Sequence, residues 1–538
     1  GSFGHFRTFR GALDFGLANI NSGLAFRMNT FRHESDNFRD EKPSKQFAVN
    51  PAFTWRLNQK TDVTVNFEFA QNDFQPDAGL PIQFFFDGTA PEIPDVPRER
   101  SYQSPFDDSD QNIYRARADF STKLNENVTI RNKLYFADQD WETTGTLLLG
   151  AFPNPPRGDV QVSRALQDLN DRQKYLGNQF DLLFTFQTGS IRHNLVSGLE
   201  FTRYDDDFML KFGVIAPMDL LNPVEITPNI LNLLFLQTST VNAKTIIFAP
   251  YFVDQIAFSD KLKFFLGGRY DILDYENERL DVDVINAASL STINERNYKK
   301  LSPMGGVLIA PIENVSIYAN AGRAFAPPST LTRGTPEPEE SMQFEVGAKL
   351  RFLQGKYNAN FALFHLEKDN INIPDTTGVF GQNGDQRSRG IELAINALPF
   401  ENVHATLSYA FTEAELTAFR ERFATQAGFF VIDHSGNTAG FSPKHILNFW
   451  TTKEFRNGLG FGFGSRYLSR QFVAADNIFE IEPYLLFNAA IYYQRQGWRW
   501  SLNFKNISNR DYEVRGFNGL SVIPADPFTM YSTFQFTL

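Results

Sequence analysis

Seven histidines, two acidic clusters and one glycine-rich run are the residues whose types could do chemistry in this chain. The histidines (His5, His33, His193, His365, His404, His434 and His445) are scattered, and none has a ligand partner at helical or strand spacing. The clusters Asp205-Asp206-Asp207 and Glu339-Glu340 could bind a divalent cation through carboxylate oxygens, but runs of this kind also form solvated loop surface. The run Gly460–Gly464 offers the spacing of a phosphate cradle, yet no helix follows to supply an anion site. There it alternates with Leu459, Phe461 and Phe463, so its glycines read as the low-bulk face of a strand. Cysteine is absent, which removes disulfides, thiolate metal sites and cysteine nucleophiles. No catalytic constellation and no metal site emerge, and the chain reads as a binder rather than an enzyme.

Strands must position whatever binds. In the C-terminal stretch, Trp498, Trp500, Leu502 and Phe504 alternate with Arg499, Ser501, Asn503 and Lys505. Near the end, Phe528, Met530, Phe534, Phe536 and Leu538 alternate with Thr529, Tyr531, Thr533, Gln535 and Thr537. Successive strand residues face opposite sides of a sheet. One face is apolar and crowned by aromatics, while the other carries Arg and Lys, the pattern of a transmembrane β-barrel strand. Composition agrees. Phenylalanine is used 56 times and the chain is 42% hydrophobic, yet no stretch approaches the ~20 apolar residues of a membrane helix. A net charge of -11 leaves no basic stripe for nucleic acid.

The same pattern recurs upstream, as in Val63, Val65, Phe67 and Phe69 against Thr64, Asn66 and Glu68. Tight turns near 58–61, 125–127, 188–190, 259–261 and 311–314 alternate with long connections near 71–110, 143–172, 206–243, 277–297 and 414–440. Regular alternation places all the short turns on one side, periplasmic in bacterial outer-membrane barrels. No blade repeat of about 40–50 residues supports a soluble propeller. The expectation is an all-β, antiparallel transmembrane barrel over residues 1–538, with about 21 strands beginning at Phe6–Ala18. Single-chain bacterial barrels use even numbers, so an upstream strand completing 22 is expected, or else a parallel seam.

Several segments together resemble one family. They include "GSFGHFRTFRG", the loop Gly79–Asp107 with Gly79-Leu80-Pro81 and Pro97-Arg98, and Gln343, Glu345, Gly347 and Lys349 after a Pro-Glu. "SRGIELAINALPF" from Ser388, "SPKHILNFWTTKEF", "GFGFGSRYLSRQF" and "NFKNISNRDYEV" follow in the same order. The sequence resembles the barrel of TonB-dependent siderophore receptors across nearly its whole length. Two departures are visible: the chain ends on Leu538 rather than an aromatic, and the plug domain and energy-coupling box are absent. The expectation is therefore a signal peptide, plug and first strand upstream of Gly1, or a second chain supplying the latter two.

The resemblance implies an outer-membrane receptor for a ferric siderophore, energised through TonB, with no intrinsic cofactor and with lipid and lipopolysaccharide around it. Cargo would be held by aromatic faces and by Arg or Lys near the strand tops. Strand phase turns Arg131, Lys133, Tyr135, Gln139 and Trp141 inward, with Glu200, Tyr204, Arg466 and Arg470. Loop candidates are Phe84, Phe85, Phe86, Arg98, Arg100, Phe380, Phe429 and Phe430, for which packing of loop on loop is the alternative. Other readings are a receptor for haem, cobalamin or a sugar, and a passive porin or structural barrel. Haem receptors carry a Phe-Arg-Ala-Pro box followed by a ligand His; here Phe325-Ala326-Pro327-Pro328 stands with no His before Phe364.

Overall fold

In a computed structural model, 22 antiparallel strands hydrogen-bond in one closed barrel. The structure describes residues 1–538 except 20, 227–234, 286, 331, 333–335, 375–379, 426–427 and 538. Closure is made by the first strand, Ser2–Gly4, which pairs antiparallel with Thr8–Asn19 on one side and Thr529–Phe536 on the other. The count is thus 22 within this chain rather than 21, and the seam is antiparallel. The span Phe6–Ala18 is not one strand from its first residue. Phe6 and Arg7, at φ 55° and 49°, form the turn into Thr8–Asn19.

Pairing at this seam is short. Ser2–Gly4 bonds only to Thr8–Arg10 and to Tyr531–Thr533, with Gly1 exchanging two backbone bonds with Phe534. Among the described residues, the edge of residues 11–19 has no partner on this side, although Leu13, Phe15 and Leu17 are exposed along it.

The expected phase holds around the wall. Trp500 and Phe534 pair on the outer face. Arg499 lies over the Tyr492 ring and Lys505 over Tyr531, on the inner face. A one-residue slip would exchange the two sets. Inward glycines meet inward aromatics. Tyr531, Tyr135, Tyr251, Tyr318 and Tyr492 each lie across the directly paired Gly4, Gly177, Gly198, Gly347 and Gly460, where a Cβ would overlap the ring. Gly462 and Gly464 likewise lie under Trp450, so the glycine-rich run is structural.

Several connections expected to be long are strand instead. Val128–Asn154 and Asp159–Thr188 occupy most of 143–172, Ile191–Asp219 and Phe235–Ala257 much of 206–243, and Leu262–Asp283 and Ala288–Ile312 most of 277–297. A crossing needs only 9–11 residues. Asp159–Thr188 has 30, so about two thirds of it stands clear of the bilayer. Outer-face apolarity ends at the membrane boundary while ladder hydrogen bonding continues, and reading strands by that apolarity stops too early. The boundary is sharp on Ile191–Asp219, where exposed Leu199 and Phe201 give way to the outward pair Arg203–Asp205.

The connection from 75 to 107 folds over the long-loop end. Leu80–Pro81 pairs with Ser521–Val522 of the last loop. Beneath it lies a core of Leu80, Ile82, Leu148, Ala151, Val162 and Val522, all essentially inaccessible to solvent.

An aromatic and acidic cavity at the barrel mouth

Four neighbouring strand extensions build the site. Inward side chains of Val128–Asn154, Asp159–Thr188, Ile191–Asp219 and Phe235–Ala257 fall in register: Trp141 opposite Asp171, Asp171 opposite Phe208, Tyr204 opposite Tyr175 and Thr245. They line a cavity of about 680 Å³, which Pro327 to Thr330 approach from a neighbouring loop. Trp141 is fixed by a 3.0 Å hydrogen bond from its indole N–H to Ser109 Oγ. Tyr175 stacks on Tyr135 at 5.4 Å and lies 6.4 Å from Tyr204, so three phenol rings continue the aromatic wall inward. Below, the Tyr135 hydroxyl donates to Glu200 at 2.7 Å, and Arg269 donates to Glu200 and to Asp271.

Two carboxylates lie side by side in the cavity wall. Asp171 is 8% exposed and Asp206 4%. Gln173 donates to Asp171 Oδ2 at 2.9 Å and Thr330 to Asp206 Oδ2 at 2.7 Å, while Oδ1 of each is buried with no hydrogen-bond partner. Both lie above the membrane boundary set by Phe201 and Arg203. Burial, and then Asp206, push the Asp171 carboxyl up to about 7. Burial and the two carboxylates also raise Tyr204. No Lys, Arg or His lines this cavity among the described residues, and no group of three or more His, Cys, Asp or Glu is placed to hold a metal ion.

Of the residues proposed from sequence, Trp141 and Tyr204 meet here; the arginines do not. Arg98 donates to the Tyr512 carbonyl at 2.8 Å and to Glu513 at 2.7 Å, tying the 75–107 loop to the last loop. Arg100 donates to the carbonyls of Leu220 and Leu221. Arg466 faces the lumen opposite Asn448 and Leu486, and Arg470 lies 3.5 Å from Glu480 in an exposed loop. Phe84 stacks on Phe152 at 5.3 Å and packs on the loop core, Phe85 is half-buried, and Phe86 is exposed beside Phe152. Phe430 is exposed on the hairpin formed by Arg420–Thr425 and Gly428–Asp433. The backbones of Phe380 and Phe429 pair with Pro374 and Ala424, but their side chains lie outside the described residues.

The cavity also contains Asp171, Asp206, Tyr175 and Thr330. Phase alone marks Asp206, the one member of its acidic run that shares parity with Tyr204. Asp171 and Tyr175 become visible only through cross-strand register, and Thr330 only through loop placement.

A 22-stranded barrel with a polar lumen, an apolar belt and a capped mouth belongs to the outer-membrane transporters, whose lumen at this strand number is wide enough to hold a plug. Residues 53–507 match the family model "TonB dependent receptor-like, beta-barrel", and the chain belongs to that family of outer-membrane receptors and transporters. It is 27% identical over 547 residues to the metal-pseudopaline receptor CntO of Pseudomonas aeruginosa, covering 98% of this chain and 73% of that protein. It is 25% identical to the ferrichrome outer membrane transporter/phage receptor of Escherichia coli, covering 95% of this chain and 70% of that one. The crystal structure of the siderophore receptor PiuA from Acinetobacter baumannii has the same fold, with a TM-score of 0.85 at 21% identity over 99% of this chain and 80% of that one.

Proposed function

We propose that this chain is the barrel of an outer-membrane receptor that captures a ferric siderophore and passes it inward with energy from TonB. The cavity between Trp141 and Tyr204 carries the reading. It lies on the loop-side extensions of the strands, is walled by aromatic faces suited to an organic chelate, and stands above a polar lumen. The names of the family's siderophore receptors support the same cargo class. Outward charges just above the apolar belt, Arg172–Asp138, Arg203–Asp205 and Lys244–Glu276, suit contact with lipopolysaccharide headgroups.

The proposal includes a longer first strand and a plug, supplied from upstream of Gly1 or by another chain. Unpaired backbone groups facing lipid cost several kcal/mol each, and the edge of residues 11–19 has no strand partner on this side among the described residues. The test is uptake of radio-iron by a strain lacking this gene, measured across a panel of ferric siderophores. Loss of uptake for one chelate class, restored by the gene and not by Trp141→Ala with Tyr204→Ala, is the expected result. Unaltered uptake of every chelate refutes it.

A further inference from the structure

The cavity is acidic where a site for anionic chelates would be basic. Asp171 and Asp206 lie on adjacent strands one diagonal step apart, each more than nine-tenths buried, each with an Oδ1 that meets no donor. Their Oδ2 atoms are held by neutral partners, Gln173 and Thr330. Two carboxylates this close cannot both ionise without a counter-charge, and among the described residues none that lines the cavity carries one. The pair is therefore relieved either by a proton held on one carboxyl or by a positive charge that arrives with the guest. A metal ion would require more oxygen ligands than this pair provides. Trp141 stands directly opposite Asp171, and Tyr175 and Tyr204 lie one step inward of the pair; their ring faces attract organic cations.

On the reading of this protein as a ferric-chelate receptor, we propose that the cavity selects chelates carrying a protonated amine, seating the ammonium on Asp171 and Asp206 against Trp141 and Tyr204. The ammonium donates to the two free Oδ1 atoms, its methylene stem lies along the Trp141 ring, and the iron-chelating groups remain toward the mouth. A chelate with a free carboxylate at that position is repelled by the same pair.

The test uses two ferric cores, a linear trihydroxamate and a tricatecholate, each made with a terminal primary amine, its N-acetyl form and its N-succinyl form. Competition binding is measured on outer membranes containing the protein, with compact mobility of the unheated barrel on gels as the check of folding. The amine form of the accepted core is expected to bind about tenfold to a hundredfold tighter than the acetyl form, and the succinyl form more weakly than either. In Asp171→Asn and Asp206→Asn, which keep size and shape, the amine-to-acetyl ratio is expected to fall toward one. Equal binding of the three forms, tighter succinyl binding, or an amine preference that survives both variants overturns this inference while leaving the receptor reading intact. Binding of no form of either core by folded barrel overturns both.

Discussion

Replacing Gly177 by alanine tests whether inward rings over glycine hold the wall in place. A Cβ at Gly177 overlaps the ring of Tyr135, which is directly paired with it and must swing away. The displaced ring loses its stack on Tyr175 at 5.4 Å, about 0.5–1.5 kcal/mol. Its hydroxyl also loses the 2.7 Å bond to Glu200, about 1.5–3 kcal/mol for a charged acceptor. The sum is a destabilisation of about 2–4.5 kcal/mol. Gly305→Ala is the control, because a Cβ there meets nothing nearer than the Phe265 carbonyl at 3.7 Å; it should stay within about 0.5 kcal/mol of the parent. Urea unfolding in lipid vesicles, followed by unheated gel mobility, supplies the midpoints. Tyr135→Ala should add little in the Gly177→Ala background, since the ring has already been displaced. Equal midpoints for the two glycine variants, or fully additive costs for Tyr135→Ala and Gly177→Ala, would refute the reasoning.

Three further outcomes are expected. Leu502→Arg places a charge in hydrocarbon and should cost about 2–4 kcal/mol in the same unfolding assay, whereas Asn503→Arg, facing the lumen, should cost little. Arg98→Ala leaves the 7%-exposed Glu513 without its cation, so trypsin should cleave at Arg100 faster than in the parent while the barrel keeps its midpoint. The folded-state value of Asp171 is raised above that of the unfolded chain, so its contribution favours folding most at low pH and declines as pH rises toward and through about 7. The drop in urea midpoint between pH 5 and pH 8 should therefore be smaller in Asp171→Asn than in the parent.

The wall was legible in the sequence because lipid imposes a strict two-residue period, which pins residues such as Trp500 outward and Arg499 inward. Where lipid ends, that constraint lapses. The strand from Val128 runs to Asn154, yet Glu142, Thr144 and Thr146 take the outward phase of Leu134 and Phe136 just past Trp141. Trp141 and Tyr204 could be found one strand at a time, since each needs only its own phase. Asp171 could not, because its meaning lies in a neighbour 35 positions away, brought beside it by register. The loop arginines Arg98 and Arg100 show the opposite difficulty. A loop has no period, so the sequence offers their charge but not the carbonyls and Glu513 that consume it.

The seam at Ser2–Gly4 has a kinetic consequence. Every other pairing in the barrel joins strands consecutive in the chain's path around the wall, so hairpins can form locally as the polypeptide arrives. The contacts of Ser2 with Thr533 and Gly4 with Tyr531 instead bring together residues more than 500 apart. Loop-closure entropy grows only logarithmically with separation, so distance alone does not forbid this step. Its order is fixed instead: the ring cannot close until the final strand has been delivered. Until then two edges stand open at once, and the growing sheet is most vulnerable to pairing with another chain. Tyr531 over Gly4 would act as the latch of that last event, so its removal should slow assembly more than it weakens the finished barrel.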